Sequence, residues 1–308
     1  MDIQLARTFL AVADTGSFVA ASARLFVTQS AVSLRVQRLE DMLGRAVFER
    51  SKAGATMTPA GRAFEPYALS LVKLWEEARQ QVAVPDGFAR ALSIGAQYSL
   101  WPRLGFRWID ALRADAPDLA LRGELGMPDR LTRFLVEGVV QATLSYAPQA
   151  RPGVTIEPVL EDELILVSAR AGDTLDAPDF AARYVYADWG PEFARAHAAL
   201  PGLGPGGVTL SLGALAADFV APRGAAAYLP ARAVRPRLDR GELHLVPDTP
   251  RFPSPIWAAF RDDLDPAVAA LARDALARVA ADAETAQERV LSELADLSAG
   301  DDVAVMGA

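Results

Sequence analysis

The chain has 308 residues, 51% of them hydrophobic and 23% charged, which excludes a disordered polymer and leaves room for two folded domains. It has no cysteine, which excludes disulfides, thiolate nucleophiles and cysteine-bound zinc, and its only histidines, His197 and His244, are not at a metal-ligand spacing. The formal charge of -8 hides an asymmetry: residues 1–62 carry eight basic and five acidic side chains, whereas the remainder carries 23 and 34. A basic head on an acidic body fits a polyanion-binding module joined to a sensor or an enzyme, although an imbalance this small also arises by chance. Asp2, Arg7 and Asp14 interrupt the apolar run that an export signal needs, and prolines and glycines break the longest uncharged stretch, Ala196 to Ala217. The expectation is a cytoplasmic protein with no membrane span, no cofactor and no metal.

From Ile3 to Asp14 the residues Leu5, Phe9, Leu10 and Val12 recur at helical spacing, and Thr15-Gly16 ends the run. Ser17 is an N-cap for a short second helix through Leu25, and Phe26-Val27 forms a tight turn. Thr28 caps a third helix whose stripe Val32, Val36, Leu39 and Leu43 is terminated by Gly44. Two short helices joined by a tight turn are a helix-turn-helix.

If Val32 points inward, the 100° step per residue turns Ser30, Ser33, Leu34, Gln37 and Arg38 to solvent, with Gln29 on the first exposed turn. Such a face fits the major groove, where Gln pairs with adenine and each good pair discriminates by roughly 1–3 kcal/mol. The alternative is the solvated face of any three-helix bundle. The segment Ala46 to Arg50 then reads as a strand, residues 51–55 as a turn and Thr56 to Thr58 as a second strand. In this wing Arg50 and Lys52 are placed for phosphates, which position a protein on DNA without reading sequence.

Residues 3–64, above all "FLAVADTGSFVAASARLFVTQSAVSLRVQRLEDMLGRAVFER" and "MTPAGRAF", resemble the winged helix-turn-helix head of the LysR-type transcriptional regulators. The family's string Ser-Gln-Ser/Pro-Ala-Val/Leu-Ser-x-x-Ile-x-x-Leu-Glu is matched by Thr28, Gln29, Ser30, Ala31, Val32, Ser33, Val36, Leu39 and Glu40. One departure bears on specificity: where the family often has Arg after the second Ser, this chain has Leu34 followed by Arg35. Leucine reaches a thymine methyl but cannot donate to guanine, so the operator should differ from that of Arg-bearing relatives. With Thr28 and Arg35 included, the expected DNA-binding set is Thr28, Gln29, Ser30, Ser33, Leu34, Arg35, Gln37, Arg38, Arg50 and Lys52.

Thr58 as N-cap with Pro59 behind it starts a long helix in which Phe64, Tyr67, Leu71, Leu74, Trp75, Ala78 and Val82 recur every three or four residues until Pro85-Asp86-Gly87. A rod of about 38 Å between domains leaves this stripe to a partner helix, unless it packs on the protein's own body. The resemblance implies that such helices pair antiparallel between two subunits, so that the operator is an inverted repeat and the protein a dimer or tetramer.

Beyond Ala91 short apolar runs alternate with helical ones. "ALSIGA", "LALRGEL", "VVQATLSY", "GVTIEPV" and "ELILVSA" are strand-like, with helices at Leu100 to Ala114 and Asp129 to Glu137. "YVYAD", "VTLSL", "AAAYLP", "ELHLV" and "PIWAAF" continue the pattern, with helices at Glu192 to Leu200 and Ala214 to Val220, before a long helix opens at Asp265-Pro266. This alternation predicts a mostly parallel sheet in two lobes, joined near Ala147-Pro148 and near Arg261 to Asp265, with ligand outside the carboxyl ends of the strands. Residues 91–283 resemble, more loosely than the head, the periplasmic-binding-protein-like effector domain of the same family.

An enzyme has little to build on. "GLGPGG" at 202–207 formally satisfies G-x-G-x-x-G, but it contains Pro205 and precedes a strand rather than opening a helix. Lys52 and Lys73 are the only lysines and neither completes a P-loop, and Asp262, Asp263 and Asp265 sit at a helix start, where capping explains them. Gln97, Tyr98, Ser99 and Trp101 follow the first strand of the body and open a helix, a place suited to an anion with rings to stack on its organic part. The resemblance adds the positions matched by Ser99, Tyr146-Ala147, Asp188-Trp189 and Ser211-Leu212. For Trp101 and Trp189, core packing is the alternative. The expected effector is a small organic acid or aromatic compound.

The sequence is thus expected to form an α/β protein: a winged helix-turn-helix head (1–62), a linker helix (58–88), a two-lobed effector domain (89–283) and an amphipathic extension with a tail (284–308). Its expected function is sequence-specific binding to double-stranded DNA under the control of a small effector. The alternative is a ligand-independent architectural DNA binder.

Overall fold

The computed structural model describes residues 2–51, 54–200, 202–204 and 207–298; Lys52, at the expected wing tip, and the tail beyond Ser298 lie outside the described residues. Contacts divide the chain into two units, one holding the head and linker helix together with residues 133–140, the other holding the rest.

In the head, helix α1 (Ile3–Thr15) starts where the Asp2 carboxylate accepts from Gln4 N and ends at Gly16 in the left-handed region. Helix α2 (Phe18–Leu25) is capped by Ser17, and α3 (Gln29–Leu43) by Thr28, whose hydroxyl accepts from Ala31 N at 3.2 Å. Strands β1 (Phe48–Ser51) and β2 (Gly54–Met57) pair antiparallel as the wing, shifted by a residue or two from the expected runs. Leu5, Phe9 and Val12 meet Val32, Val36, Leu39 and Phe48 in one buried cluster, with the Phe9 and Phe48 rings 5.2 Å apart. The expected α3 stripe stops short of its last member: Leu43 is 41% exposed, because the final turn of α3 runs past the core.

Phe26, which ends α2, holds φ at +54° and is 95% exposed. A left-handed phenylalanine costs about 1–2 kcal/mol that no burial returns, whereas Asn or Gly adopts this turn readily. Phe26→Asn is therefore expected to stabilise the head by about 1 kcal/mol, measured as a higher urea midpoint for the head's unfolding; an unchanged or lower midpoint would refute the strain.

Helix α4 (Pro59–Val82) begins with Thr58 accepting from Gly61 N and Pro59 at its first position. Gly61 is required there: a Cβ would stand 2.2 Å from Val47 O. The face that packs in the head carries Gly61, Ala68, Val72 and Glu76, and buried Glu76 is bonded by Arg7 and, at 3.0 Å, by Arg79. Tyr67, Leu71, Leu74, Trp75 and Val82 lie exposed on the other side.

The body runs through β3 (Arg90–Ala96), a tight helical passage at 98–105, α5 (Phe106–Asp115), β4 (Leu119–Leu125), α6 (Pro128–Val136), β5 (Ala142–Ser145) and β6 (Val154–Ser168). It continues with α7 (Phe180–Arg183), β7 (Tyr186–Ala187), α8 (Pro191–His197), β8 (Thr209–Leu210), α9 (Ala216–Val220) and β9 (Ala226–Pro230). It ends in α10 (Ala231–Asp239), β10 (His244–Leu245), β11 (Phe252–Arg261) and α11 (Pro266–Leu297).

The expectation of a mostly parallel sheet is corrected. β3 and β5 pair parallel, but β11 runs antiparallel to both β5 and β6, and β9 and β10 run antiparallel to β6. The cause is that "GVTIEPV" and "ELILVSA" are one continuous strand, β6, and that β11 returns alongside it. The polar stretch Glu161-Asp162-Glu163 reads as a break in sequence. It is the point where β6 leaves one apolar core, marked by Leu160, and enters the next at Leu164 and Ile165. The crossings between lobes therefore fall within strands, not at the expected Ala147-Pro148 and Arg261 to Asp265. Opposite the acidic triplet, β11 sets Pro253, Ser254 and Pro255, and two prolines cannot donate to the ladder. The crossover is thus thinly hydrogen-bonded.

The first-lobe core gathers Ile94, Trp108, Leu112, Ile256 and Phe260, with Trp108 Nε1 donating to Ala272 O. The second lobe has an aliphatic cluster around Val167, Leu229 and Val234 and an aromatic one of Phe180, Tyr184, Phe193, Tyr228 and Phe252. Helix α11 serves both lobes: Ala272 and Leu276 are buried in the first, Val290 and Leu294 in the second. The helix expected to close the domain at about 283 continues without interruption, because its apolar spacing carries on onto the second core. At the crossover Gln287 Nε2 donates to Glu161 O at 2.7 Å.

Candidate functional sites in the head and the body

On α3 the buried seam of Val32, Val36 and Leu39 leaves Gln29, Ser30, Leu34, Gln37 and Arg38 exposed and Ser33 half-buried. Leu34, 57% exposed, sits in the middle of an otherwise polar face. Thr28 and Ser30 hydroxyls lie 2.9 Å apart, and Gln37 Nε2 donates to Asp41 at 3.0 Å. Arg35 is turned sideways: it is half-buried, and its Nη1 donates to Thr8 Oγ1 of α1 at 3.4 Å. On the wing, the Arg50 guanidinium stands 4.1 Å from the centroid of the Phe18 ring, a cation–π contact that holds it against α2. Glu40 does structural work that the sequence reading did not foresee: its carboxylate accepts from Val47 N and Phe48 N, tying the wing to the end of α3.

In the body the structure separates the expected effector residues into groups. Gln97 Oε1 accepts from Ser145 Oγ and from Tyr146 N, both at 2.8 Å, which fixes the end of β5 against the end of β3. Ser99 Oγ lies 3.5 Å from Tyr146 OH, and the Tyr146 and Trp189 rings meet edge to face at 6.1 Å. Trp189 Nε1 donates to Tyr228 O. Gly213 of the second lobe, at φ +56°, lies against Ser99 so closely that a Cβ would come within 2.7 Å of the serine hydroxyl. Ser99, Tyr146 and Trp189 thus stand where the two lobes meet, with Ala147 exposed beside them. Asp188 accepts from Gly190 N and from Ser211 Oγ, making a separate polar rim on the second lobe, next to exposed Leu212.

Tyr98 and Trp101 are not with them. They line an apolar groove of about 410 Å³ with Phe106, Ile109, Leu125 and Leu215, and Trp101 packs against Phe106 at 5.6 Å.

Two residues at the junction were missed in the sequence. Arg232, on the first turn of α10 and only 3% exposed, has its Nε 2.6 Å from the buried Asp162 carboxylate and donates from Nη2 to Tyr146 OH at 3.1 Å. Burial pushes the Asp162 carboxyl up to about 6, against the pull of the adjacent guanidinium, and burial likewise raises the Tyr146 phenol. The available signal was position: Arg232 directly follows β9, at the carboxyl end of a strand. In the aromatic cluster of the second lobe, Tyr184 OH bonds His197 Nε2 at 2.7 Å, and burial lowers the imidazole's pKa. Among the described residues no group of His, Asp and Glu side chains has the arrangement of a metal site, and no helix is long and apolar enough to cross a membrane.

Residues 3–62 match the family described as "Bacterial regulatory helix-turn-helix protein, lysR family", and residues 85–280 match the "LysR substrate binding domain". The chain belongs to the LysR family. It is 31% identical over 269 residues to the HTH-type transcriptional regulator HdfR of Escherichia coli, spanning 86% of this chain and 94% of that protein. Two solved structures share the fold: full-length LysG from Corynebacterium glutamicum with bound effector arginine (TM-score 0.54, 21% identity, 92% of this chain and 99% of that one) and ArgP from Mycobacterium tuberculosis (TM-score 0.53, 24% identity, 91% and 97%). This LysR-type protein is a DNA-binding transcriptional regulator with an effector-binding domain, as the sequence expectation had it.

Proposed function

We propose that the exposed face of α3 reads an inverted-repeat operator, that α4 pairs two subunits, and that a small effector bound where the lobes meet shifts the regulator between two arrangements. The observation that carries the first part is the seam of Val32, Val36 and Leu39, which commits Gln29, Ser30, Leu34, Gln37 and Arg38 to solvent on one helix of groove-fitting size. Ser33 and Thr28 flank this face, while Arg50 and Lys52 of the wing meet phosphates. Arg35, held toward Thr8, serves the head's packing as well as the interface. The protein works in the cytoplasm and does not turn over a substrate; its body senses rather than catalyses.

The effector reading is supported by the convergence of Ser99, Tyr146, Ala147 and Trp189 at the junction, with the Asp188, Ser211 and Leu212 rim on the second lobe. Tyr98 and Trp101 contribute from the adjoining groove, and Gln97 holds the junction from behind. The crossover at Glu161 to Glu163, with its two facing prolines, is a place for the lobes to hinge. Any ligand that favours one lobe arrangement changes DNA affinity, and DNA changes ligand affinity by the same factor.

Gln29→Ala and Ser33→Ala are expected to relax operator preference by roughly 1–3 kcal/mol each at the bases they face. Arg50→Ala and Lys52→Ala should instead weaken binding to every duplex alike and flatten the salt slope by about one unit. Titration of the purified chain against operator and scrambled duplexes over a range of salt separates the two effects. Identical behaviour of all four variants would refute the division between reading and positioning.

A further inference from the structure

The turn of the helix-turn-helix holds a side chain for which the free protein has no use. Phe26 stands in the left-handed region at φ +54° and is 95% exposed, whereas its neighbours Leu25 and Val27 pack against the core of the head. A strained backbone position that carries no folding contact points to function, since Asn or Gly would make the same turn without strain. Its place in the motif narrows what the ring meets. Two trans peptide steps of about 3.8 Å each join it to Thr28, the N-cap of α3, so the ring lies within reach of the first turn, where Gln29 and Ser30 are exposed. In this motif the N-terminal residues of the second helix contact base edges, while the first helix crosses the DNA backbone. The exposed positions of α2 that lead up to Phe26 are Val19, Ala20 and Ala23, which carry neither charge nor a hydrogen-bonding group. Side chains so small let α2 come close to the duplex, and they leave Phe26 as the large apolar group at the corner where α2 meets α3.

We propose that Phe26 is a specificity-determining residue of the DNA interface, its ring packing on the C5 methyl of a thymine beside the base pair that Gln29 meets. This rests on the reading of α3 as the helix that enters the major groove. Among the four bases only thymine presents an apolar group in that groove, and phenylalanine is one of the side chains that answers it. A phenyl ring has no hydrogen bond with which to choose among bases in another way, so its contribution is a preference for thymine at one position of each half-site. Contact with the methyl also gives the ring the burial that the free head does not, which accounts for a phenylalanine where the turn itself favours Asn or Gly. Leu34, exposed on α3, is the other large apolar side chain of this surface, amid hydroxyl, amide and guanidinium groups.

The test takes the duplex that the full-length chain selects from a random-sequence pool and remakes it with deoxyuridine in place of one thymine at a time. This deletes the methyl and leaves every hydrogen bond of the pair intact. At one thymine of each half-site the exchange is expected to weaken binding by the parent about fourfold. Phe26→Asn should bind the thymine duplex about tenfold more weakly and no longer distinguish thymine from deoxyuridine at that position. Phe26→Tyr, which keeps the ring, should keep the discrimination. Because Phe26→Asn relieves the strained turn, a head that is harder to unfold yet binds less tightly excludes a merely structural role. Parent affinity in Phe26→Asn would overturn the proposal. So would an equal loss on thymine, deoxyuridine and scrambled duplexes, which would place the ring on the backbone, or a changed subunit mass in light scattering, which would place it in a contact between copies. In each of those cases a relaxed preference in Gln29→Ala leaves the reading of α3 standing. If Gln29→Ala and Phe26→Asn both bind every duplex as the parent does, that reading falls as well.

Discussion

Leu71→Asp combined with Trp75→Asp is expected to convert the regulator to a monomer and to lower its operator affinity by a factor of about 10²–10⁴, with the head still folded. The reasoning starts from the two faces of α4. One is committed to the subunit's own head: Gly61, Ala68 and Val72 are buried there, and Glu76 is bonded by Arg7 and Arg79. The other presents Tyr67, Leu71, Leu74, Trp75 and Val82 to solvent, a row of large apolar side chains that a folded subunit has no use for exposing together. Aspartates at two central positions touch nothing in the subunit's own core, so the head's stability should not change. In a paired arrangement they would be buried against a second apolar stripe, where unpaired carboxylates are strongly disfavoured. Two linked heads gain affinity through effective concentration, and a monomer forfeits that gain on an inverted repeat. Light scattering reports the mass and electrophoretic mobility shift the affinity. A double variant that stays dimeric would move the pairing surface elsewhere, and a monomer with undiminished affinity would refute paired recognition.

How far the sequence alone reached follows from where its signals were local. Caps at Ser17, Thr28 and Thr58 and the seam on α3 are short-range features, and the structure has the three caps as read and the seam as far as Leu39. The body was harder because strand alternation does not distinguish one long strand from two short ones. Glu161-Asp162-Glu163 is polar because it spans the gap between cores, and a polar gap looks the same as a loop. The same confusion hid the antiparallel course of β11, whose pairing is set far away in sequence. Tyr98 and Ser99 are neighbours that face different environments, one in the apolar groove and one at the lobe junction, which no periodicity over so short a turn reveals. Arg232 was invisible for a different reason: a lone arginine at a helix start carries no motif, and its importance depends on Asp162, seventy residues earlier, being buried beside it. Leu43 erred the other way, since a regular stripe continued past the end of the core it serves.

The pair Asp162–Arg232 also makes the largest stability prediction. Arg232→Leu is expected to destabilise the body by about 3–5 kcal/mol at pH 8, because it strands a buried carboxylate. The double variant Asp162→Leu/Arg232→Leu should recover much of that loss, since an apolar pair of similar volume has no charge to desolvate. The pH dependence distinguishes this from a packing defect. In the parent, burial raises Asp162 from 3.8 to about 6, with the Arg232 guanidinium and the hydrogen bond from Glu163 N opposing the rise. The folded state therefore holds this proton more tightly than the unfolded chain, so the carboxyl's contribution to stability is fully present below pH 3.8 and is lost as pH rises through about 6. Removing Arg232 raises the folded value further, so Arg232→Leu should cost progressively less as pH falls and the carboxyl takes up its proton. His197 acts with the opposite sign: burial lowers its folded value, so its contribution is present above the unfolded value of 6.5 and is lost as pH falls below it. The parent's acid limb below neutrality thus contains both effects, and the difference between parent and Arg232→Leu cancels the histidine. Urea unfolding of both proteins at pH 5.5 and 8 measures that difference directly. A cost that is the same at both values would mean that Asp162 is not the group left stranded, and that Arg232 stabilises the junction through Tyr146 alone.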